Sequence, residues 1–369
     1  MRILILLILS GSIIYPSVNT VRAQLEPFGL EGKTISDVSL FPSDFIPQLN
    51  YVCAGTDSDG VFLRSLASPD SPWVNYGLSG KNITAVYVYL WGAGPGDFFT
   101  LLAGSRPSFA SGDSTLLYHR TFLYDTTWSI ADNGLNAEQL DHIRCISGIF
   151  YGGHEPPQPL FLGAGTDIFG SNGFPPQLFW QTSWSGAAVL TLEILQRSLS
   201  FPFGIVWAGG VANAQTPLFV KSMDAGNTWI LLPSPPGGDN ECHSIAIDPL
   251  HPDTVYAGMR DVVIKTTNGG QNWIDVSPPI SGVIFFGVEI NPTNPEHLIA
   301  GGTSFSGSEF VLFETHDGGN SWTEILPGQT IAGITAMDSH VEGAEFVVYM
   351  GTGGDGIYRY KSPVAGIKE

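Results

Sequence analysis

Short apolar runs alternate with turns along the whole chain from residue 25 onward. The runs are rich in β-branched and aromatic residues, and Gly, Pro, Asn and Asp fill the gaps between them. The most regular run ends in a glycine, mostly as Ala-Gly or Met-Gly, and recurs seven times at intervals of 43 to 61 residues. Its copies end at Gly55, Gly104, Gly165, Gly209, Gly258, Gly301 and Gly351. Segments this short between turns predict β-strands and leave little room for helices.

Each repeat predicts four strands. An inner strand opens the unit, as in residues 35–38, 242–245 and 331–334, and the glycine-ending strand comes second. A third apolar strand follows, and the fourth starts at or near a tryptophan. These tryptophans are Trp73, Trp128, Trp184, Trp229, Trp273 and Trp322. Seven such units predict an all-β fold: one seven-bladed β-propeller of four-stranded antiparallel blades over residues 24–369, with blades starting near residues 34, 82, 142, 194, 241, 283 and 330.

The seventh unit lacks its fourth strand, because the chain ends eight residues after the third strand at 356–361. The missing strand is found at the other end of the sequence. Residues 25–33 align without a gap with residues 73–81, which form the fourth strand of the first unit and the turn after it. We therefore predict that the N-terminal strand completes the last blade. This pairing covers two sheet edges that would otherwise be exposed.

Residues 1–23 have the pattern of a signal peptide. Arg2 precedes the apolar run 3–9, and Val-Arg-Ala at 21–23 offers a cleavage site before Gln24. Polar and small residues interrupt the apolar run well short of the ~20 residues that a membrane span needs. We expect an exported bacterial protein, extracellular or periplasmic, with no membrane span after the signal peptide is removed.

Charge and cysteine content narrow the possible partners. The full chain has a formal net charge of −19, and removal of Arg2 and Arg22 leaves 13 basic and 34 acidic residues. This charge repels nucleic acids and anionic membranes. Cys53, Cys145 and Cys242 fall in the first, third and fifth units, which predicts small buried hydrophobic residues rather than disulfides. No pair of His and Cys has metal-ligand spacing, so we expect no metal and no cofactor, and we expect a monomer.

The turn between the third and fourth strands has a signature in three units: Ser/Thr-x-Asp/Asn-x-Gly-x-x-Trp at residues 222–229, 266–273 and 315–322. The side chain at the Asp/Asn position can accept backbone N–H groups, the glycine allows a positive φ, and the tryptophan can bury its rings. The signature residues are Ser222, Asp224, Gly226, Trp229, Thr266, Asn268, Gly270, Trp273, Thr315, Asp317, Gly319 and Trp322. The pattern resembles the Asp-box, or bacterial neuraminidase repeat. The resemblance implies a structural role for these residues, on the face opposite the ligand site. The alternative is a functional role, in which Asp224 and Asp317 bind a cation and the tryptophans stack on sugars.

Asp37 is the first candidate for a functional site. It stands at the third position of its inner strand, where other units have small residues: Ala85, Cys145, Ser244, Gly287 and Gly333. Asp37 is either a ligand-binding carboxylate in the channel or a buried aspartate satisfied by backbone donors. Basic residues near the expected channel opening form a second set, interpreted either as ligand-binding groups or as solvated loop residues. They are Arg106, Arg144, His243 and Arg260.

The resemblance to Asp-box propellers includes several activities. Sialidases of this superfamily bind a substrate carboxylate with an arginine trio, opened by an Arg-Ile-Pro segment that this sequence lacks. Xyloglucan-cleaving glycosidases use two facing propellers, whereas this chain accounts for one. The photosystem II assembly factor resembles the chain in being one exported seven-bladed propeller without enzymatic activity, but it has a basic patch. We expect an exported non-enzymatic module that binds a protein or a glycan at the channel mouth. The alternative is a divergent glycan-processing enzyme that uses carboxylates such as Asp37.

Overall fold

The computed structural model describes residues 23–364 except for 42–49, 92–97, 109–111, 123–124, 150–158, 172, 174–177, 197–202, 214–215, 236–240, 307–308, 326–327 and 329. Over this range the protein is all-β, with seven four-stranded antiparallel sheets. The seven sheets form a ring, because the inner strand of each sheet contacts the inner strands of the sheets before and after it, including the first and the last. The predicted seven-bladed β-propeller is confirmed. Residues 1–22 lie outside the described part, so the signal peptide stays a prediction.

The strands are numbered in chain order, and each blade runs from its inner to its outer strand. Blade 1 contains β2 (Ile35–Phe41), β3 (Tyr51–Thr56), β4 (Val61–Ser65) and β5 (Val74–Gly77). Blade 2 contains β6 (Ile83–Trp91), β7 (Phe98–Ser105), β8 (Leu117–Thr121) and β9 (Ser129–Ile130). Blade 3 contains β10 (Ile143–Gly148), β11 (Leu160–Ala164), β12 (Asp167–Ser171) and β13 (Gln181–Ser185).

The remaining blades follow the same order. Blade 4 contains β14 (Ala188–Leu195), β15 (Ile205–Ala212), β16 (Thr216–Ser222) and β17 (Ile230–Leu231). Blade 5 contains β18 (Cys242–Ile247), β19 (Val255–Met259), β20 (Val263–Thr266) and β21 (Ile274–Asp275). Blade 6 contains β22 (Val283–Ile290), β23 (Leu298–Ser304), β24 (Phe310–Thr315) and β25 (Thr323–Glu324). Blade 7 contains β26 (Ile334–Glu342), β27 (Glu345–Thr352), β28 (Ile357–Pro363) and finally β1 (Gln24–Gly29).

Strand β1 closes the ring as the outer strand of blade 7. It pairs antiparallel with β28, with Leu25 opposite Tyr360. The ungapped match to the fourth strand of blade 1 extends to atomic contacts. The Arg64 Nη1 donates to the Phe28 carbonyl oxygen over 2.6 Å, just as Arg120 Nη1 donates to the Tyr76 carbonyl oxygen over 2.6 Å one blade later. The predicted completion of the last blade by the N-terminal strand is confirmed.

The repeated glycine of each second strand allows two neighbouring blades to touch. A Cβ atom on Gly351 would lie 2.6 Å from Ile35 Cγ2, and a Cβ atom on Gly104 would lie 2.6 Å from Ile143 Cβ. Both distances are shorter than any normal contact, so a larger residue would push the blades apart. In blade 3 this position belongs to Gly163, two residues before the glycine that the sequence repeat indicated.

Two predicted inner strands differ from those in the structure. In blade 7 the strand begins at Ile334 rather than at residue 331, so that its third position is Ala336 and not Gly333. Ile334 is fully buried and occupies the place of Ile35 in blade 1, whereas Ile331 is only half-buried. In blade 4 the inner strand Ala188–Leu195 lies earlier than the expected start near residue 194.

In blades 1, 2, 3, 4 and 6 a tryptophan donates a hydrogen bond to the outer strand of the blade before it, or to the residue directly after that strand. The indole Nε1 atoms of Trp128 and Trp322 donate to the carbonyl oxygens of Tyr76 and Val276, over 2.8 and 2.7 Å. In blade 3 this role belongs to Trp180, which donates to the Ala131 carbonyl oxygen over 2.8 Å. The prediction that Trp184 occupies this position is wrong, because Trp184 lies inside β13 and is only half-buried.

The three signature turns share one hydrogen-bond pattern. In blade 4, Gly226 N donates to Ser222 Oγ and Thr228 N donates to Asp224 Oδ1, each over 2.8 Å. In blade 6, Ser321 N donates to Asp317 Oδ1 over 2.8 Å. The glycines at the fifth position have φ values of 80°, 87° and 92° in the three turns. These turns lie at the end of the ring opposite the start of the inner strands.

Candidate functional site

A cavity of about 880 Å³ occupies the channel along the axis of the ring, and residues of all seven inner strands line it. Every inner strand has a β-bulge directly after a fully buried residue, for example between Ile35 and Asp37, and positions in these strands are counted from that residue. A bulge redirects the side chain at the extra residue. These second-position residues all line the cavity, at the end of the channel that is called the mouth from here on. They are Ser36, Thr84, Arg144, Leu190, His243, Phe286 and Thr335.

Arg144 and His243 are fixed in place at the mouth. Arg144 Nη1 donates to the Gly165 carbonyl oxygen over 2.6 Å, and Nη2 lies 3.2 Å from Asp141 Oδ2. The His243 ring packs edge-on against Phe286 with a centroid distance of 5.0 Å. Burial lowers the pKa of His243, which favours the neutral form of its imidazole. The mouth therefore combines one paired cation with a neutral aromatic surface.

Arg106 and Arg260 do not line the cavity. Both side chains are exposed. The Arg106 Nη2 lies 3.5 Å from His142 Nδ1, and the Arg260 guanidinium lies 4.4 Å from the ring centroid of Phe305. Of the five candidate residues from the sequence, the structure brings Asp37, Arg144 and His243 together around one cavity and leaves these two arginines outside it.

The Asp37 carboxylate bridges two inner strands. Its Oδ1 accepts the N–H of Val38 over 2.9 Å, and its Oδ2 accepts the N–H of Val86, in the next blade, over 2.7 Å. An inner strand has no partner strand on its channel side, so its N–H groups there need other acceptors. The wall around Asp37 removes solvent and raises its pKa to about 7, although backbone hydrogen bonds oppose the shift. Both carboxylate oxygens of Asp37 thus serve the backbone.

Asp338 bridges the ring closure in the same manner. Its Oδ2 accepts the N–H of Leu40 in blade 1 over 2.7 Å, and its Oδ1 accepts the N–H of Ser339 over 2.7 Å. The Ser339 hydroxyl in turn donates to Glu289 Oε2 in blade 6 over 2.6 Å. Polar contacts therefore connect the inner strands of blades 6, 7, 1 and 2 in sequence around the channel.

Glu193, Glu289 and Asp338 occupy the fifth position counted from the buried residue before the bulge, and they form an acidic layer in the channel. Burial raises the pKa of all three carboxyl groups, and the charges of their neighbours in the layer raise those of Glu193 and Glu289 further. Among the described residues, no donor makes a hydrogen bond to Glu193. Ionising several of these buried carboxyl groups at once is unfavourable, because their negative charges repel one another. A cation bound among them would offset this repulsion.

Sequence reasoning missed this acidic layer. Glu193 and Asp338 lie in the two inner strands whose starts were misplaced, so their equivalence to Glu289 was hidden. The signal that could have found them is an acidic residue within an apolar strand, as in Leu192-Glu193-Ile194. Aligned from the buried residue before each bulge, the three carboxylates fall at one position.

Comparisons with known proteins support the fold alone. No family model and no curated protein matches the chain. Among solved structures, an ancestral GH74 enzyme matches with a TM-score of 0.62 and 14% identity, over 92% of this chain and 49% of the enzyme. YCF48 bound to D1 peptide matches with a TM-score of 0.59 and 14% identity, over 96% and 99% of the two chains. An extracellular domain from B. thetaiotaomicron matches with a TM-score of 0.59 and 11% identity, over 91% and 40%.

The chain thus belongs by its fold to the seven-bladed β-propellers. The solved structures that resemble it include an enzyme and a peptide-bound protein. The chain spans about half the length of the GH74 enzyme and almost the full length of YCF48.

Within the residues that the structure describes, no helix is long and apolar enough to cross a membrane. All three cysteines are free thiols, and Cys53 and Cys242 are fully buried.

Proposed function

We propose that the protein is an exported, non-enzymatic binding module that takes a basic segment of another protein into the mouth of its channel. The observation that carries this proposal is the acidic layer, defined above as Glu193, Glu289 and Asp338, in the wall of an open cavity of about 880 Å³. A lysine or arginine side chain is long enough to enter a cavity of this size, and its charge favours ionised carboxylates around it.

The chemistry of the carboxylates favours binding over catalysis. Both oxygens of Asp37 and both oxygens of Asp338 accept backbone N–H groups. These hydrogen bonds hold both carboxylates rigidly and use each of their oxygens to support the backbone, as in structural carboxylates. Glu193 has no such partner among the described residues, which makes it the residue best placed to meet an incoming cation.

Two comparisons agree with this function. YCF48, a propeller of nearly the same length, has been solved with a bound peptide. The extracellular domain from B. thetaiotaomicron agrees with the expected export of this chain. The expected monomeric state remains a prediction, which light scattering of the purified chain would test.

Selection from a library of random displayed peptides tests the proposal. We expect the full chain to enrich peptides with lysine or arginine, and the affinity of a selected peptide to rise from pH 5 to pH 8 as the acidic layer ionises. Glu193→Gln should weaken binding about tenfold or more, which is the usual effect of removing a charged hydrogen-bond partner. Glu324→Gln changes an exposed glutamate on the outer strand of blade 6 and should leave binding unchanged. Selected peptides without basic residues, or equal affinities for both variants, would refute the proposal.

A glycan-processing activity is the second candidate, favoured by the similarity to the GH74 enzyme and by the pKa of Asp37 near 7. A general acid needs a pKa close to the working pH. A glycan array and a panel of chromogenic glycosides separate the two functions. Turnover that Asp37→Asn abolishes would establish the enzyme, whereas glycan binding without turnover would replace the peptide by a sugar as the ligand.

A further inference from the structure

Three potential metal ligands converge in blade 6, at the end of the ring opposite the mouth. One potential ligand atom each from His297, Glu314 and His316 lies within 4.8 Å of the other two. His297 Nε2 lies 2.7 Å and His316 Nε2 lies 3.6 Å from the same carboxylate oxygen, Glu314 Oε1. The two imidazole rings lie face to face but tilted by 32°, with a centroid distance of 4.2 Å. The Nε2 atoms of both imidazoles therefore face one carboxylate oxygen, Glu314 Oε1.

The three residues differ sharply in exposure. His297 is fully buried and Glu314 is nearly so, while the His316 side chain is 47% exposed. Tyr360 donates to Glu314 Oε2 over 2.8 Å, so the carboxylate is held by β28 of the next blade. Two ligands are thus fixed by the fold, and the third lies at the surface where an ion can enter.

Blades 4 and 5 do not have these ligand-type residues at the equivalent positions. Strand register equates Glu314 with Lys265 in blade 5 and Lys221 in blade 4. Both lysines donate to the backbone of the next signature turn, at Gly318 and Gly269 respectively. The positions of His297 and His316 hold non-ligands in both blades: Thr254 and Thr267 in blade 5, and Ile205 and Met223 in blade 4. Blade 6 therefore differs from blades 4 and 5 at all three positions at once, and at each of them it has a residue that can bind a metal ion.

We propose that His297, Glu314 and His316 bind a divalent cation of the zinc type. Zinc prefers imidazole nitrogen and carboxylate oxygen and is held by three protein ligands where a fourth position stays open to water. Zinc bonds of about 2.0 Å place neighbouring ligand atoms roughly 3.3 Å apart in a tetrahedral site. The observed 2.7 Å from His297 and 3.6 Å from His316 differ from this separation by only about 0.6 and 0.3 Å, so small shifts of the side chains suffice.

The second nitrogen of His297 governs how readily the site takes metal. Asn291 Nδ2 lies 3.2 Å from His297 Nδ1, and the Asn291 oxygen accepts the Thr293 N–H over 3.0 Å. This orientation makes Asn291 the donor, so His297 has its proton on Nε2 in the metal-free protein. Metal binding displaces that proton, and the Nδ1 proton that a ligating neutral imidazole needs would face the Asn291 amide. Ligating histidines normally donate this proton to a carboxylate or carbonyl.

Isothermal titration of the full chain with Zn²⁺ alone, after treatment with a chelator, tests the site. We expect one Zn²⁺ per chain, a raised melting temperature, and a loss of affinity of at least about tenfold in His316→Ala, whose position tolerates threonine and methionine in the sister blades. Asn291→Asp should bind Zn²⁺ more tightly than the native chain, because the carboxylate can accept the Nδ1 proton. Blade 5 already has Asp248 at this place in its turn, so the fold accepts the change.

His251→Ala is the matched control, since it removes an exposed histidine that lies 3.0 Å from Asp248 in blade 5. It should bind Zn²⁺ as the native chain does. Equal affinities of the native chain and His316→Ala would overturn the proposal, as would a Zn²⁺-soaked crystal whose anomalous signal lies away from blade 6. An Asn291→Asp variant that binds Zn²⁺ no better than the native chain would contradict the assignment of His297 Nε2 as a ligand.

Discussion

Trp73 donates a hydrogen bond from its indole Nε1 to the carbonyl oxygen of Phe28 over 2.9 Å, from blade 1 to the N-terminal strand of blade 7. Trp128 makes the same bond to Tyr76 one blade later. The junction where the two ends of the chain meet is therefore built from the same contacts as a junction between ordinary neighbouring blades. The hydrogen bonds between blades therefore continue around the whole ring, although no covalent link joins the first and last strands of the chain at this junction.

Phe28→Ala should remove much of the stability of this junction. The ring of Phe28 is 5% exposed and lies against Tyr349, with a centroid distance of 4.9 Å, and beneath the Arg64 guanidinium at 3.8 Å. We expect a loss of about 3–5 kcal/mol in the free energy of unfolding, measured in urea, which is usual for a buried phenylalanine. Tyr76→Ala, at the equivalent and only half-buried position, should cost clearly less. Equal losses would contradict the explanation that the burial of Phe28 sets the stability of this junction.

The raised pKa of Asp37 predicts a pH dependence of stability. The native carboxyl group titrates near pH 7 and the unfolded one near 3.8, so the native state keeps a proton that the unfolded state releases. This contribution is present in full below about pH 4 and is lost as the pH rises toward 7. We therefore expect the free energy of unfolding of the native chain, minus that of Asp37→Asn, to fall between pH 4 and pH 7. A difference that stays flat or rises over this range would show that Asp37 has no raised pKa.

His119 is expected to change the stability with pH in the opposite direction to Asp37. It is 4% exposed, neither ring nitrogen has a hydrogen-bond partner among the described residues, and burial lowers its pKa. The unfolded histidine takes up a proton near its ordinary pKa of 6.5, so the stability that depends on the neutral ring is lost as the pH falls below that value. We expect His119→Leu to stabilise the protein by about 1–3 kcal/mol at pH 7, because it removes two unpaired polar atoms, and by more at pH 5. A destabilised variant at both pH values, in thermal or urea unfolding, would refute this account.

Trp180 and Trp184 provide a direct comparison within one blade. Trp180 is 1% exposed and bonds to the preceding blade, whereas Trp184 is half-buried within β13. Trp180→Ala should lower the free energy of unfolding by about 3–5 kcal/mol, and Trp184→Ala by less than half of that amount. A larger loss in Trp184→Ala would mean that the sequence repeat had identified the structural tryptophan correctly.

Most of the fold could be predicted from the sequence repeat alone. An ungapped match of nine residues was sufficient to predict β1 as the last outer strand, because the same turn follows both strands. Leu30 and Leu78, at equivalent places in it, both have a φ of 60°. The repeated glycines were equally informative, since they mark the closest approach of neighbouring blades.

Register inside two strands could not be predicted from local pattern. Residues 331–334 read Ile-Ala-Gly-Ile, and either isoleucine fits the start of an inner strand. The packing of Ile334 against Gly301 of the preceding blade decides between them, and that contact is not visible in the sequence. The acidic layer and the His297, Glu314 and His316 set join residues from different blades or different turns. Their proximity depends on the register of the strands, so it appears only in three dimensions.

The most direct test of the whole account is the unfolding of a chain that lacks β1, residues Gln24–Gly29. Ring closure by this strand positions the channel, the mouth and the acidic layer. We predict that the shortened chain melts far below the intact one and loses its single cooperative transition, because β28 is left as an open edge and Trp73 loses its acceptor. A shortened chain with the same melting temperature and the same cooperativity as the intact protein would contradict the closed ring.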